Sequence, residues 1–234
     1  MEGALEAGVR QEVRTELLER DEGAYFMVWT ERGLWQERLV KMGWQPRRPD
    51  RFERRLDHMP GLDAVFERSK RHLPLMLLQS GRHVEADWRT GLHAFAERME
   101  GSGVFWWLYG SAALAVRGID VVPGDVDLAV QDAERATAAM QALLMVPLTY
   151  MPAWLADWTA WAFEGAIVEW LEGYHPTGNN PPREQEPAII DSLEEVSWEG
   201  HQILVPPVSI QLPVVEARGL TVRATAIREY LDAD

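Results

Sequence analysis

The feature that most constrains this chain is a break in pattern near its middle. Residues 104–109, VFWWLY, form an unbroken apolar and aromatic run that halts at Gly110–Ser111 and passes directly into an alanine-rich stretch, 111–117, closed by Gly118. So short a run fits a strand covered on both faces better than a buried helix. The stretch after it is helix-prone and stops at a glycine able to take the left-handed conformation that ends helices. A strand therefore turns sharply into a helix at Gly110. Helix-start amides at Gly110 and Ser111 would favour phosphate oxygens, and glycine permits close approach. Taken alone, Gly-Ser before a helix is also a common cap.

Beyond a Pro123–Gly124 turn, residues 125–130 read DVDLAV and alternate as a strand does. Side chains two apart share a face, so Asp125 and Asp127 converge while Val126 and Leu128 enter the opposite face. Carboxylates held that close repel unless a hard cation lies between them, and Mg²⁺, which prefers oxygen ligands and phosphate co-ligands, is the natural occupant. Residues 161–171 predict a hairpin turned at Glu164–Gly165, on which Glu169 faces away from Val168 and Trp170. Placed beside 125–130, that strand would add Glu169 as a third carboxylate. Such a cluster can hold two metal ions, one binding a triphosphate and the other lowering the pKa of an attacking hydroxyl.

Gly110–Ser111, the helix after them and Asp125-Val-Asp127 resemble the signature of the DNA polymerase beta-type nucleotidyltransferase superfamily. GSAAL and DVDL are most similar to its small bacterial branch of aminoglycoside and lincosamide nucleotidyltransferases. The resemblance covers 104–130 well, 163–172 fairly and the final helices loosely. It implies a nucleotidyltransferase fold and transfer of a nucleoside monophosphate from an NTP to a hydroxyl of a small molecule or protein. Gly110 and Ser111 would contact the β- and γ-phosphates. Asp125 and Asp127 would bind two Mg²⁺ ions, with Glu169 helping to hold the catalytic one and to deprotonate the acceptor. Two departures stand out. Relatives often carry a basic or polar residue just before the Asp-x-Asp, where this chain has Val121-Val-Pro-Gly124 and only Arg117 nearby. Relatives often offer a basic residue from the C-terminal helix, a part open here to Arg218, Arg223 or Arg228. The competing reading is a non-catalytic protein of that fold that binds a nucleotide or a partner chain, as in a toxin–antitoxin-like pair.

The rest of the sequence bounds these readings. A net charge of −14 disfavours nucleic acid as a partner. With no cysteine there is neither a disulfide framework nor a thiolate metal site, and the six histidines lack metal-ligand spacing. No apolar run reaches membrane-span length and the start lacks a signal-peptide core, so a cytoplasmic location is expected; an oligomer remains open. Fold class is α+β: a small mixed sheet flanked by helices over 82–234, preceded by an N-terminal region, 1–80, mostly helical with room for short strands. Helices are expected over 4–20, 31–42, 82–100, 133–144, 209–217 and 221–232. Strands are expected at 25–29 and in a small hairpin around Glu199–Gly200. The spacing of Trp154, Trp158 and Trp161 suggests a helical stripe, and residues 175–187 an exposed loop. The arginine-rich stretch 47–57 reads as a solvated strand or loop with local ion pairs rather than a phosphate patch.

Overall fold

The computed structural model describes residues 2–21, 23–56, 59–150, 156–174 and 186–233, and among them the chain is a mixed α+β structure. Helix α1 (Glu2–Glu12) leads into β1 (Arg14–Arg20) and β2 (Gly23–Trp29); α2 (Gly33–Lys41) and the hairpin β3 (Gln45–Arg48) and β4 (Arg51–Leu56) follow. These strands form an antiparallel sheet in the order β1-β2-β4-β3. The single helix expected over 4–20 is thus corrected: its second half is β1, paired residue for residue with β2 from Arg14↔Trp29 to Arg20↔Gly23. Six of the seven residues of β2 are buried, so it demands partners on both edges, and that tertiary demand overrides local helix preference. The N-terminal region accordingly holds a full four-stranded sheet rather than scattered short strands.

A long helix, α3 (Leu62–Ser80), crosses to the second sheet. There Arg68 and Ser69 donate to the carbonyls of Leu144 and Met145 on its outer strand, covering an edge that would otherwise stay open. The helix expected over 82–100 is shorter at its start. Asp87 caps it by accepting from the Thr90 amide at 3.2 Å, and α4 runs Trp88–Met99.

The second sheet combines β5 (Trp106–Tyr109), β6 (Val126–Val130), β7 (Leu144–Tyr150), β8 (Ala156–Glu164) and β9 (Ala166–Tyr174) in the order β5-β6-β9-β8-β7. Only β6 and β9 run parallel. Short α5 (Gly110–Ala115) joins β5 toward β6, and α6 (Ala133–Ala139), capped by Asp132, precedes β7. Helix α6 does not extend to 144 as expected, because Leu144 is already needed as the first pairing residue of β7, opposite Ala162. The expected tryptophan stripe is also corrected. Trp158 and Trp161 lie on strand β8, where an odd separation sends them to opposite faces; Trp154 lies outside the described residues, as does most of the loop expected at 175–187.

One face of this sheet, with Val126, Leu128, Val168 and Trp170, packs on α4, α6 and the hairpin of β10 (Glu194–Trp198) and β11 (His201–Val205). That hairpin turns at Glu199–Gly200, both at positive φ, as a two-residue hairpin requires. Toward the other face, Met145, Val146, Trp161 and Phe163 join the core of the N-terminal sheet. A brief helix α7 (Glu186–Ser192) precedes β10, and α8 (Val208–Ala217) and α9 (Thr221–Ala233) close against Leu114 and Ile119 behind α5.

Candidate active site

Parallel pairing of β6 with β9 sets the register of the acids. Asp127 lies directly opposite Glu169, and Asp125 precedes it by two residues. Their apolar neighbours, Val126, Leu128, Val168 and Trp170, are fully buried on the packed face, so period-two geometry leaves the carboxylates of Asp127 and Glu169 on the other, while Asp125, just before β6, lies near enough for its charge to act on Asp127. Glu169 is held by two neighbours on that face: Thr159 Oγ1 donates to its Oε1 at 3.0 Å and Trp161 Nε1 at 2.7 Å.

Gly110 closes the site from β5. Its φ is +68°, and a Cβ built there would stand 2.3 Å from Asp127 Oδ2. The side chain that glycine lacks is thus replaced in space by the carboxylate of Asp127. Behind it, Ser111 is only 3% exposed, whereas Gly110 is half-buried.

All three acids are half-buried: they keep some contact with solvent, but most of their surroundings are protein. Burial therefore raises the pKa of Asp127 well above the usual carboxylate range, and the charges of Asp125 and Glu169 raise it further. Asp125 is also raised by burial, against the opposing pull of Arg223, Arg218 and Arg82. Burial pushes Glu169 up to about 6, although the bonds from Trp161 and Thr159 favour its charged form. A buried acid shifted this way favours the folded state most when protonated. The unfolded chain ionises first as pH rises, so this contribution is full below about 4.5 and lost through about 6. A shift of that size corresponds to about 2 kcal/mol. The difference in melting midpoint between wild type and Glu169→Gln, measured without metal, should therefore fall between pH 4.5 and 6; a flat difference would show that Glu169 ionises normally.

The structure also sorts the basic candidates. Arg218 and Arg223 act electrostatically on both aspartates, whereas Arg228 is paired with Glu216. Arg117 is turned away: it pairs with Glu194 at 2.5 Å and donates to the Pro206 carbonyl at 3.0 Å. Three contributors are hidden in the sequence. Thr159 and Trp161 alternate along β8 opposite Glu169, a pattern obscured when the tryptophans are read at helical spacing. Arg82, at φ +55° in the connection before α4, carries no sequence signal.

The donor set is all oxygen, which suits a hard divalent cation. Asp125 and Asp127 are its natural centre, with Glu169 alongside. Among the described residues no three acidic, cysteine or histidine side chains gather around one point as ion ligands do.

No family model matches the chain, and no curated protein matches it. One solved structure, of a putative nucleotidyltransferase (TM1012) from Thermotoga maritima, is similar at 15% identity with a TM-score of 0.48, over 63% of this chain and 94% of that one. Among the described residues no helix is long and apolar enough to cross a membrane.

Proposed function

We propose that the chain is a Mg²⁺-dependent nucleotidyltransferase that moves a nucleoside monophosphate from an NTP to a hydroxyl of a small molecule or protein. The observation that carries this reading is the register Asp127↔Glu169, with Asp125 near enough to act on Asp127 and the Gly110 turn against Asp127. Asp125 and Asp127 would hold the ions, with Glu169 completing the set. Bound there, Mg²⁺ would neutralise phosphate charge and lower the pKa of the attacking hydroxyl. The Gly110 turn would present backbone to the phosphates, with Ser111 continuing it. Arg218 and Arg223, whose charges already act on both aspartates, would steady the polyphosphate from the C-terminal helices. Positioning and charge neutralisation account for most of what a protein contributes to such a transfer.

A second reading, a non-catalytic protein of the same fold that binds a nucleotide or a partner chain, is favoured by one observation. Asp127 and Glu169 are in register, but among the described residues they do not close with Asp125 on a common point. Calorimetric titration with ATP, with and without Mg²⁺, together with pyrophosphate release over a panel of hydroxyl acceptors, separates the two. Binding that requires Mg²⁺ and release that requires an acceptor support the enzyme. Binding without any release supports the second reading, and no nucleotide binding rejects both. In the same titration Arg223→Gln should weaken Mg²⁺–ATP by roughly tenfold, the scale of a charge-assisted contact of about 1.5 kcal/mol. Arg228→Gln should leave it unchanged, since that side chain is occupied by Glu216.

A further inference from the structure

Arg54, on β4, is only 7% exposed. Its guanidinium donates to the Met42 carbonyl at 3.0 Å and lies 4.1 Å from the ring centre of Trp161 and 5.4 Å from that of Trp44. The acid beside it on β4, Glu53, is occupied by Arg47 at 2.6 Å and Arg20 at 3.8 Å. Among the described residues Arg54 therefore has no ion-pair partner of its own. A charge buried in this way costs heavily unless something nearby compensates it. Trp161 and Glu169 are direct cross-strand partners on β8 and β9, and the indole N–H reaches Glu169 at 2.7 Å. A cation over the indole face is attracted to the ring and polarises it, making the N–H a stronger donor.

We propose that Arg54 is a positioning residue for Glu169: it fixes Trp161 as the donor to that carboxylate and supplies the buried countercharge that holds the acid beside Asp127. The inference rests on reading Glu169 as the third carboxylate of the site. It also gives the N-terminal sheet a part in that site, since its β4 sets a buried positive charge against Trp161. The direction of the mutual effect agrees: the charge of Glu169 opposes the lowering of the Arg54 pKa to about 10 by burial.

The test is a double-mutant cycle on unfolding, measured without metal at about pH 8, where the carboxylate of Glu169 is ionised, on wild type, Arg54→Met, Glu169→Gln and the double variant. Simple loss of packing at Arg54 would add to the effect of Glu169→Gln. A countercharge would instead make Glu169→Gln more favourable in the Met background, by about two- to 150-fold in the unfolding constant, the range that directly coupled residues show. Trp161→Phe should shrink that coupling. If Arg54→Met does not fold, Arg54→Lys replaces it and should keep part of the coupling. Additive effects, or coupling of the opposite sign, overturn the proposal. Mg²⁺–ATP titration supplies the second readout. Arg54→Met should weaken binding, Arg54→Lys should restore part of it, and the exposed neighbour Arg55→Met should change nothing. A wild-type chain that binds no Mg²⁺–ATP rejects the nucleotidyltransferase reading; the cycle, which needs no ligand, still decides Arg54.

Discussion

Replacing Asp127 with asparagine is expected to raise the melting midpoint of the metal-free protein and, at once, to remove Mg²⁺-dependent nucleotide binding. Both effects come from one cause. Asp127 sits in a half-buried position, beside Asp125 and opposite Glu169, and both neighbours and burial oppose the ionisation it undergoes freely in the unfolded chain. Asparagine keeps the shape beside Gly110 and removes the charge. A stabilising substitution commonly yields about 0.5–2 kcal/mol, which for a chain this long means roughly 1–8 °C. The same substitution deletes the central anionic ligand of the proposed metal site. Its cost in Mg²⁺–ATP affinity should exceed the roughly 100-fold that even outer-shell partners of a metal can cost. Differential scanning fluorimetry in EDTA and calorimetry with Mg²⁺–ATP give the two readouts. A variant that melts no higher than wild type refutes the strained carboxylate, and one that binds Mg²⁺–ATP normally refutes its role as ligand.

Gly110→Ala should damage stability and site together. The backbone there is at φ +68°, where a non-glycine residue costs about 1–3 kcal/mol, and the new methyl would stand 2.3 Å from Asp127 Oδ2. One of the two groups must move, and both belong to the site. The expected result is a loss of several degrees in melting midpoint, near the upper end of roughly 2–12 °C, with Mg²⁺–ATP binding lost even in the fraction that remains folded. Gly118→Ala is the control. It shares a positive φ of +83° but meets nothing within 4 Å, so it should cost stability and spare binding. Equal effects of the two substitutions on binding would mean that Gly110 matters only for its backbone conformation.

Elements whose pattern is local are legible in the amino-acid sequence alone. The strand–turn–helix at Gly110, the Asp-x-Asp strand, the hairpins at Glu164–Gly165 and Glu199–Gly200 and the two C-terminal helices each rest on periodicity or turn chemistry that short segments carry themselves. The elements that mislead share a different cause. Strand β1 is polar enough to pass for a continuing helix until β2 claims it as a partner. Helix α3, with Pro74 in its interior, falls within the stretch read only as mostly helical. Trp161 looks helical because its spacing to Trp158 ignores the strand that pairing with β9 imposes. Arg54 looks like one more solvated arginine in a charged stretch, and only its place against Trp161 separates it from Arg47 and Arg55.

The amino-acid sequence by itself determined which residues could do chemistry. A glycine where a strand turns into a helix, and acids two apart on a strand, follow from backbone sterics and period-two geometry, and both are encoded within a few neighbouring residues. Tertiary structure alone decided how they meet. Strand register brought Glu169 level with Asp127, chain packing placed Arg218 and Arg223 near the acids while occupying Arg117 and Arg228 elsewhere, and the N-terminal sheet set a buried arginine against Trp161. Such long-range pairings depend on what every other segment buries, and no local stretch of sequence carries that information.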